Sequence, residues 1–363
     1  MEKSLYGALV DKYFANLVLS ITARLNDKAQ DGLPYLYKQL LGTDYSTDGK
    51  WSTLTGAYTR VAADVVAMDS PLPLKKRDAL AVAGGNIPKL GMELYLNENQ
   101  MSEIDALLRM DKPNINAILR KVFGDTNRVI EGVFERMEGM FLQGFSTGVA
   151  LADTDNVGTG IRVDYGYLDA NKFGVKAKWE GNATTAKALD DIEKVKAKAT
   201  ADGNRIVKAY ADPYFFSNIA ENAQVRSQFA FNSGFVGTDV PILDDTQVSA
   251  LMQRKFGFPV YKVDRAVLTE KNGVQTSHKY WQEGIIAFVC DEEIGSVVWT
   301  DLAEMNHPVA GVDYQTADEY ILVSKYRDNR PALREYTASQ ARAIPVISNP
   351  DRIYTLDIKS VQA

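Results

Sequence analysis

The first 25 residues place Leu5, Leu9, Tyr13, Leu17, Ile21 and Leu25 at intervals of four, with Val10, Phe14 and Val18 widening the stripe. That spacing predicts an amphipathic helix with one buried face. Asp11, Lys12 and Asn16 interrupt it, so it lacks the continuous apolar core of a signal peptide. Residues 26–56 are polar and turn-rich, with Gly32, Pro34, Gly42, Gly49 and Gly56, and read as an extended arm rather than a core. The β-branched run 61–68 and the run 87–96 read as two strands. Between them, Pro71, Pro73, Lys75, Lys76 and Arg77 mark a long projecting loop.

A helical block follows. Cap-type residues from Asn97 precede Ile104, Leu107 and Leu108, and Pro113 opens a run with Ile115, Ile118, Leu119, Val122 and Phe123. Gly124, Asp125 and Thr126 read as a stop and a new cap. The next stripe, Val129, Ile130, Val133, Phe134, Met137, Met140 and Phe141, runs to Gly144 and Gly148. Residues 159–167 are strand-like. From 181 the pattern alternates: a charged helix over 186–199, a strand at 205–210, and a helix over 214–224 opened by Asp212 and Pro213. A strand at 259–263 and an Asn272-Gly273 hairpin signal come next. The apolar run Ile285–Val289 reads as a central strand, and 334–358 returns to β. The chain is α+β.

Composition removes much chemistry. The 363 residues contain one cysteine and two histidines, His278 and His307, which excludes an internal disulfide framework and a histidine-rich metal site. Lys and Arg number 41 against 47 Asp and Glu, a net charge of −6, unlike the basic footprint of a dedicated nucleic-acid binder. No apolar run is long enough to span a bilayer. A reducing, cytosol-like site of synthesis is expected.

Each candidate motif has a simpler reading. Gly144-Phe-Ser146-Thr-Gly148 matches a nucleophile elbow, but that chemistry needs a strand before the serine and a helix after it. Here the order is reversed, so a helix end is expected. Asp153, Asp155 and Asp164 partly match a calcium loop, with Val157 at its fifth position and Asp in place of the final Glu. Asp48-Gly49-Lys50 lacks the rest of a phosphate loop, and Gly158-Thr-Gly160 lacks the third glycine of a dinucleotide fingerprint. Asn182-Ala-Thr184 is a formal glycosylation sequon. Cys290 reads as a core thiol, His278 and His307 as surface or turn residues, and Tyr210, Tyr214, Phe215 and Phe216 as core. No catalytic, cofactor or metal site emerges.

The segment order then carries the argument. The tail REYTASQARAIPVI over 334–347, Asn349-Pro-Asp351 and a terminal strand at 353–358 resemble the phage lambda capsid protein E family. The hairpin at Asn272-Gly273-Val274 and the long helix running into Gly144 are similar to it too. The resemblance implies the Hong Kong 97-type fold of tailed-phage major capsid proteins. It implies an N-terminal arm at 1–50 and an extended loop at 51–98. It further implies a peripheral domain at 99–180 and about 320–345, and an axial domain at 181–320 and about 346–363. The function implied is self-assembly into an icosahedral shell around double-stranded DNA, with no enzymatic role and no cofactor. The implied partners are copies of itself in hexameric and pentameric capsomers, a separate scaffolding protein, a portal, a decoration protein, and packaged DNA held non-specifically. The implied place is the virion capsid, assembled in the host cytoplasm. Contact candidates are Leu5, Leu9, Tyr13 and Leu17, an apolar stripe with no obvious partner in its own chain, and Lys75, Lys76 and Arg77 on the loop. Two other readings are an encapsulin-type compartment shell and a hydrolase using Ser146.

Overall fold

In a computed structural model the chain divides into two units that interleave along the sequence. The structure describes residues 1–26, 35–55, 63–66, 68, 81–152, 160–235, 237, 240–329 and 332–362. The calcium-like residues Asp153, Asp155 and Val157, and the loop residues Lys75, Lys76 and Arg77, lie outside them.

The first unit contains residues 1–51, 85–139 and 296–345. Its sheet runs in the order Leu41–Tyr45, Gly295–Trp299, Leu333–Ile347, Ile321–Asn329 and Asp313–Ala317, and Lys89–Leu96 also pairs with the long strand Leu333–Ile347. Ile321–Asn329 pairs antiparallel with the long strand, setting Lys325 opposite Thr337 and Arg327 opposite Glu335. Helix Glu98–Leu108 begins with a reciprocal cap between Asn97 and Gln100, and Asn114 accepts the Ala117 amide at 3.1 Å ahead of helix Ile115–Thr147.

That last helix is one element of 33 residues, not two. The expected break at Gly124 does not occur. Ile118, Val122, Val129 and Val133 are all buried on one stripe that stays in phase across the glycine. A helical glycine costs only about 1 kcal/mol, so continuous packing outweighs it. Thr126 is fully buried within the helix instead of capping a new one.

The N-terminal segments also correct the expectation. Helix Gly7–Asn26 buries Val10, Phe14, Val18 and Ile21 within its own unit. The segment after residue 34 is no loose arm either. Tyr35, Tyr37, Leu40, Leu41 and Trp51 are buried. Glu138, itself buried, accepts the amides of Leu36 and Tyr37 at 3.0 and 3.1 Å, which supplies the acceptors that the first turn of helix Leu36–Leu40 lacks. A local pattern of glycine and polar residues cannot reveal a cap that arrives from a hundred positions away.

The second unit contains 52–84, 140–295 and 346–363. Its five-stranded sheet has the order Lys172–Val175, Ile353–Val361, Ile285–Val289, Lys208–Ala211 and Val260–Lys262. Ile285–Val289 is central, as its uninterrupted apolar character requires, with antiparallel neighbours on both sides. Helices Ala188–Ala201, Pro213–Glu221 and Asp245–Phe256 bury Leu189, Ile192, Phe215, Val248 and Met252 in the same core as Phe288 and Leu356. The expected helix over 214–224 is two helices, Pro213–Glu221 and Ala223–Ser233, because Asn222 leaves helical geometry and caps the second through the amides of Gln224 and Val225. The hairpin Val267–Lys271 and Val274–His278 turns through Asn272 and Gly273 at φ +53° and +78°, both left-handed. The strands Lys50–Thr55 and Ala81–Asn86 pair at the root of the loop, and Thr53 donates to the Ser348 carbonyl at 2.9 Å. Of the strand expected over 61–68, residues 63–66 and 68 belong to no strand, and Val65 and Met68 are fully exposed. β-branched residues make a strand only where a partner covers them.

Candidate assembly surface

The contact candidates on helix Gly7–Asn26 lie at the margin of its buried face. Val10, Phe14 and Val18 point inward, Leu9, Tyr13 and Leu17 are half-buried beside them, and Leu5 is 42% exposed. The stripe read from the sequence therefore divides: its widening residues meet the chain itself, and its first four members keep apolar surface available. A shift of one residue around a helix is about 100°, so spacing alone could not separate the two faces.

Charged groups inside the first unit hold this helix in place. Glu335 is fully buried and accepts the Ser4 hydroxyl and the Leu5 amide. Burial raises its pKa above the usual carboxylate range, opposed by the Ser4 hydrogen bond and by the charge of Lys325. Lys325 is also fully buried and donates to the Val122 carbonyl at 2.9 Å and to Thr337 Oγ1 at 3.0 Å. Burial lowers its pKa to about 8. Glu2 and Arg327 exchange two backbone hydrogen bonds at 2.9 Å and form an ion pair at 2.8 Å. Nothing in the local sequence marks Glu335 or Lys325. Each sits in an otherwise ordinary strand, and only the three-dimensional register brings Ser4 and Val122 to them.

The residues weighed for chemistry lie elsewhere. Ser146 is buried inside helix Ile115–Thr147, donates to the Leu142 carbonyl at 3.0 Å and accepts the Gln282 amide at 3.0 Å. Its oxygen is committed to the backbone, which is the opposite of a nucleophile standing free on a strained turn. The helix ends two residues later at Gly148, φ +83°. Cys290 is buried, and burial pushes its thiol up to about 12. His278 is half-buried in the hairpin and His307 is exposed at the end of a short helix. Phe215 and Phe216 are core residues, and Asp212 caps their helix through the Phe215 amide at 3.1 Å. Among the described residues no group of three potential ligands could hold a metal, and no helix is long and apolar enough to cross a membrane.

Comparison with known proteins accounts for these packing surfaces. The family model described as phage major capsid protein E matches residues 50–358. The chain belongs to the phage major capsid protein E family.

No curated protein gives a significant match to this capsid protein. A crystal structure assigned to a prophage capsid protein of E. coli CFT073 aligns at TM-score 0.58 and 10% identity, covering 94% of this chain and 98% of that one. A phage-related protein from Bordetella bronchiseptica RB50 aligns at TM-score 0.51 and 13% identity, covering 95% and 97%. At these identities the likeness concerns the fold, which is the Hong Kong 97 type. An encapsulin from Synechococcus elongatus PCC 7942 aligns at TM-score 0.38 and 13% identity over 94% of this chain and 96% of that one, too distant to carry an argument. The chain is a capsid protein of a tailed phage or prophage, and its family places it in the virion shell.

Proposed function

We propose that the subunit works entirely through contacts, closing into pentameric and hexameric rings and then into a shell around double-stranded DNA, with no catalytic role. The observation that carries this is the family match across 50–358 together with a fold whose candidate nucleophile, Ser146, is bound to backbone on both sides. Ring contacts are heterologous, so one surface of the subunit must meet a different surface of the next. The exposed Val65, Met68 and Leu5 and the half-exposed Leu9 are surfaces of that kind. We assign the arm, packed on its own unit rather than loose over its described residues, to 1–50, the extended loop to 51–98, the peripheral domain to 99–180 and about 320–345, and the axial domain to 181–320 and about 346–363.

The net charge of −6 favours a wall that meets packaged DNA weakly and non-specifically. A separate scaffolding protein, a portal and a decoration protein complete the partners, and assembly takes place in the host cytoplasm. Lys75, Lys76 and Arg77 meet acidic groups of a neighbouring copy. Each exposed pair contributes only about 0.2–1 kcal/mol, but every subunit repeats it. Reversal of all three to Glu is expected to leave the subunit folded and to lower shell yield or salt tolerance. Unchanged assembly would remove the loop contact from the account. The shells are held without covalent links, so hot detergent should return single chains, and a ladder of oligomers would contradict that.

A further inference from the structure

Within the first unit, helix Gly7–Asn26 and the early turns of helix Ile115–Thr147 leave a groove of about 680 Å³. Tyr13, Leu17 and Ile21 form one wall, and Leu119 and Phe123 the other. Both sets repeat every four residues, so each wall is a stripe along its helix and the groove runs lengthwise between them. The helices run in the same sense: Phe14 stacks on Phe123 with centroids 6.1 Å apart, and further along Arg24 donates to Asn127 at 2.5 Å. Gly124 also lines it, and an added Cβ there would meet nothing within 4 Å. From Tyr13 to Arg24 the groove is about 16 Å long at 1.5 Å per residue, or three helical turns.

Two features define the occupant. The walls belong to helices whose backbone groups are already bonded, so there is no strand edge to receive an extended chain. An occupant must satisfy its own backbone, which selects a helix. The charged residues lining the groove are Arg24 and Arg120, with no carboxylate among the lining. Arg24 lies 3.8 Å from Glu131, and Arg120 forms no ion pair among the described residues. This basic rim stands out on a chain of net charge −6.

We propose that the groove docks a three-turn amphipathic helix of a separate assembly protein, with apolar residues spaced three and four apart and acidic flanks. The proposal rests on the reading that the subunit assembles with a helper of that kind, and it assigns Tyr13 and Leu17 to that helper instead of to a second subunit.

The test uses the full chain before assembly and two stapled, fluorescent helical peptides sharing one leucine ridge, one flanked by Glu and the other by Lys. The Glu peptide should bind at least about tenfold tighter at low salt, and Arg120→Glu should erase that preference. Gly124→Leu, which projects a side chain into the groove, should weaken binding at least about tenfold with an unchanged circular dichroism spectrum and a melting temperature no lower than that of wild type. Equal binding of both peptides, no binding, or full binding by Gly124→Leu would overturn the proposal. If Gly124→Leu blocks shell formation by the chain alone while neither peptide binds, the occupant is a second copy and the proposal fails. Because peptide binding is read on the isolated subunit, its outcome is independent of whether shells form.

Discussion

Glu335 accepts the backbone amide of Leu5 at 3.2 Å, joining positions 330 apart in the sequence. The same carboxylate accepts the Ser4 hydroxyl and faces the charge of Lys325. Removing it leaves the Leu5 amide and the buried Lys325 ammonium without their acceptor and counter-charge. Glu335→Ala should therefore cost about 3–5 kcal/mol in urea unfolding and expose residues 2–6 to hydrogen exchange and proteolysis. Glu335→Gln keeps an acceptor and should release the segment less. Unchanged protection of the Leu5 amide in Glu335→Ala would refute the clamp.

Lys325 gives the first unit a pH dependence with a definite sign. Burial depresses its folded pKa to about 8 from 10.5. Between those values the unfolded chain holds the proton and the folded chain has released it, so the contribution of Lys325 to stability rises with pH through that window. Up to pH 10 the gain is about 2–3 kcal/mol. The difference in unfolding free energy between wild type and Lys325→Met should move by that amount in favour of wild type from pH 7 to pH 10. A flat difference, or one of opposite sign, would show that the ammonium is not desolvated as described.

Two glycines of one helix should respond oppositely to alanine. A Cβ at Gly144 would lie 2.3 Å from Tyr165 Cε2, whereas one at Gly124 meets nothing within 4 Å. Tyr165 is fully buried and cannot step aside. Gly144→Ala should destabilise by about 1–3 kcal/mol through overpacking. Gly124→Ala should stabilise by about 0.5–1 kcal/mol through helix propensity. Thermal melts of the two variants decide this, and a matching sign would mean the helix is packed differently.

Ser146→Ala removes the acceptor of the Gln282 amide and should cost about 1–3 kcal/mol. The wild-type chain should show no ester hydrolysis above background. Hydrolysis that disappears in the variant would restore the nucleophile reading.

Much of this was legible in the sequence where the signal is local. Asp212-Pro213 opens a helix, Asn272-Gly273 turns a hairpin, and Ile285–Val289 lies mid-sheet, each for a reason carried by a few adjacent residues. Failures share one cause, which is that the deciding partner is remote. Gly124 looks like a stop until the buried stripe on both sides of it is seen to be continuous. Residues 35–45 look like a loose segment until Glu138 caps them. The stripe Leu5, Leu9, Tyr13 and Leu17 was visible, but the neighbouring stripe Val10, Phe14 and Val18 takes the core. The family likeness was carried by the tail 334–358 together with the order of segments along the chain.

The central claim, that this chain builds shells, is tested most directly by negative-stain electron microscopy of the purified protein expressed with its natural scaffold. The account predicts rings, tubes or closed shells, with closed shells of uniform size when the scaffold is present. A chain that remains strictly monomeric at high concentration with that scaffold would contradict it.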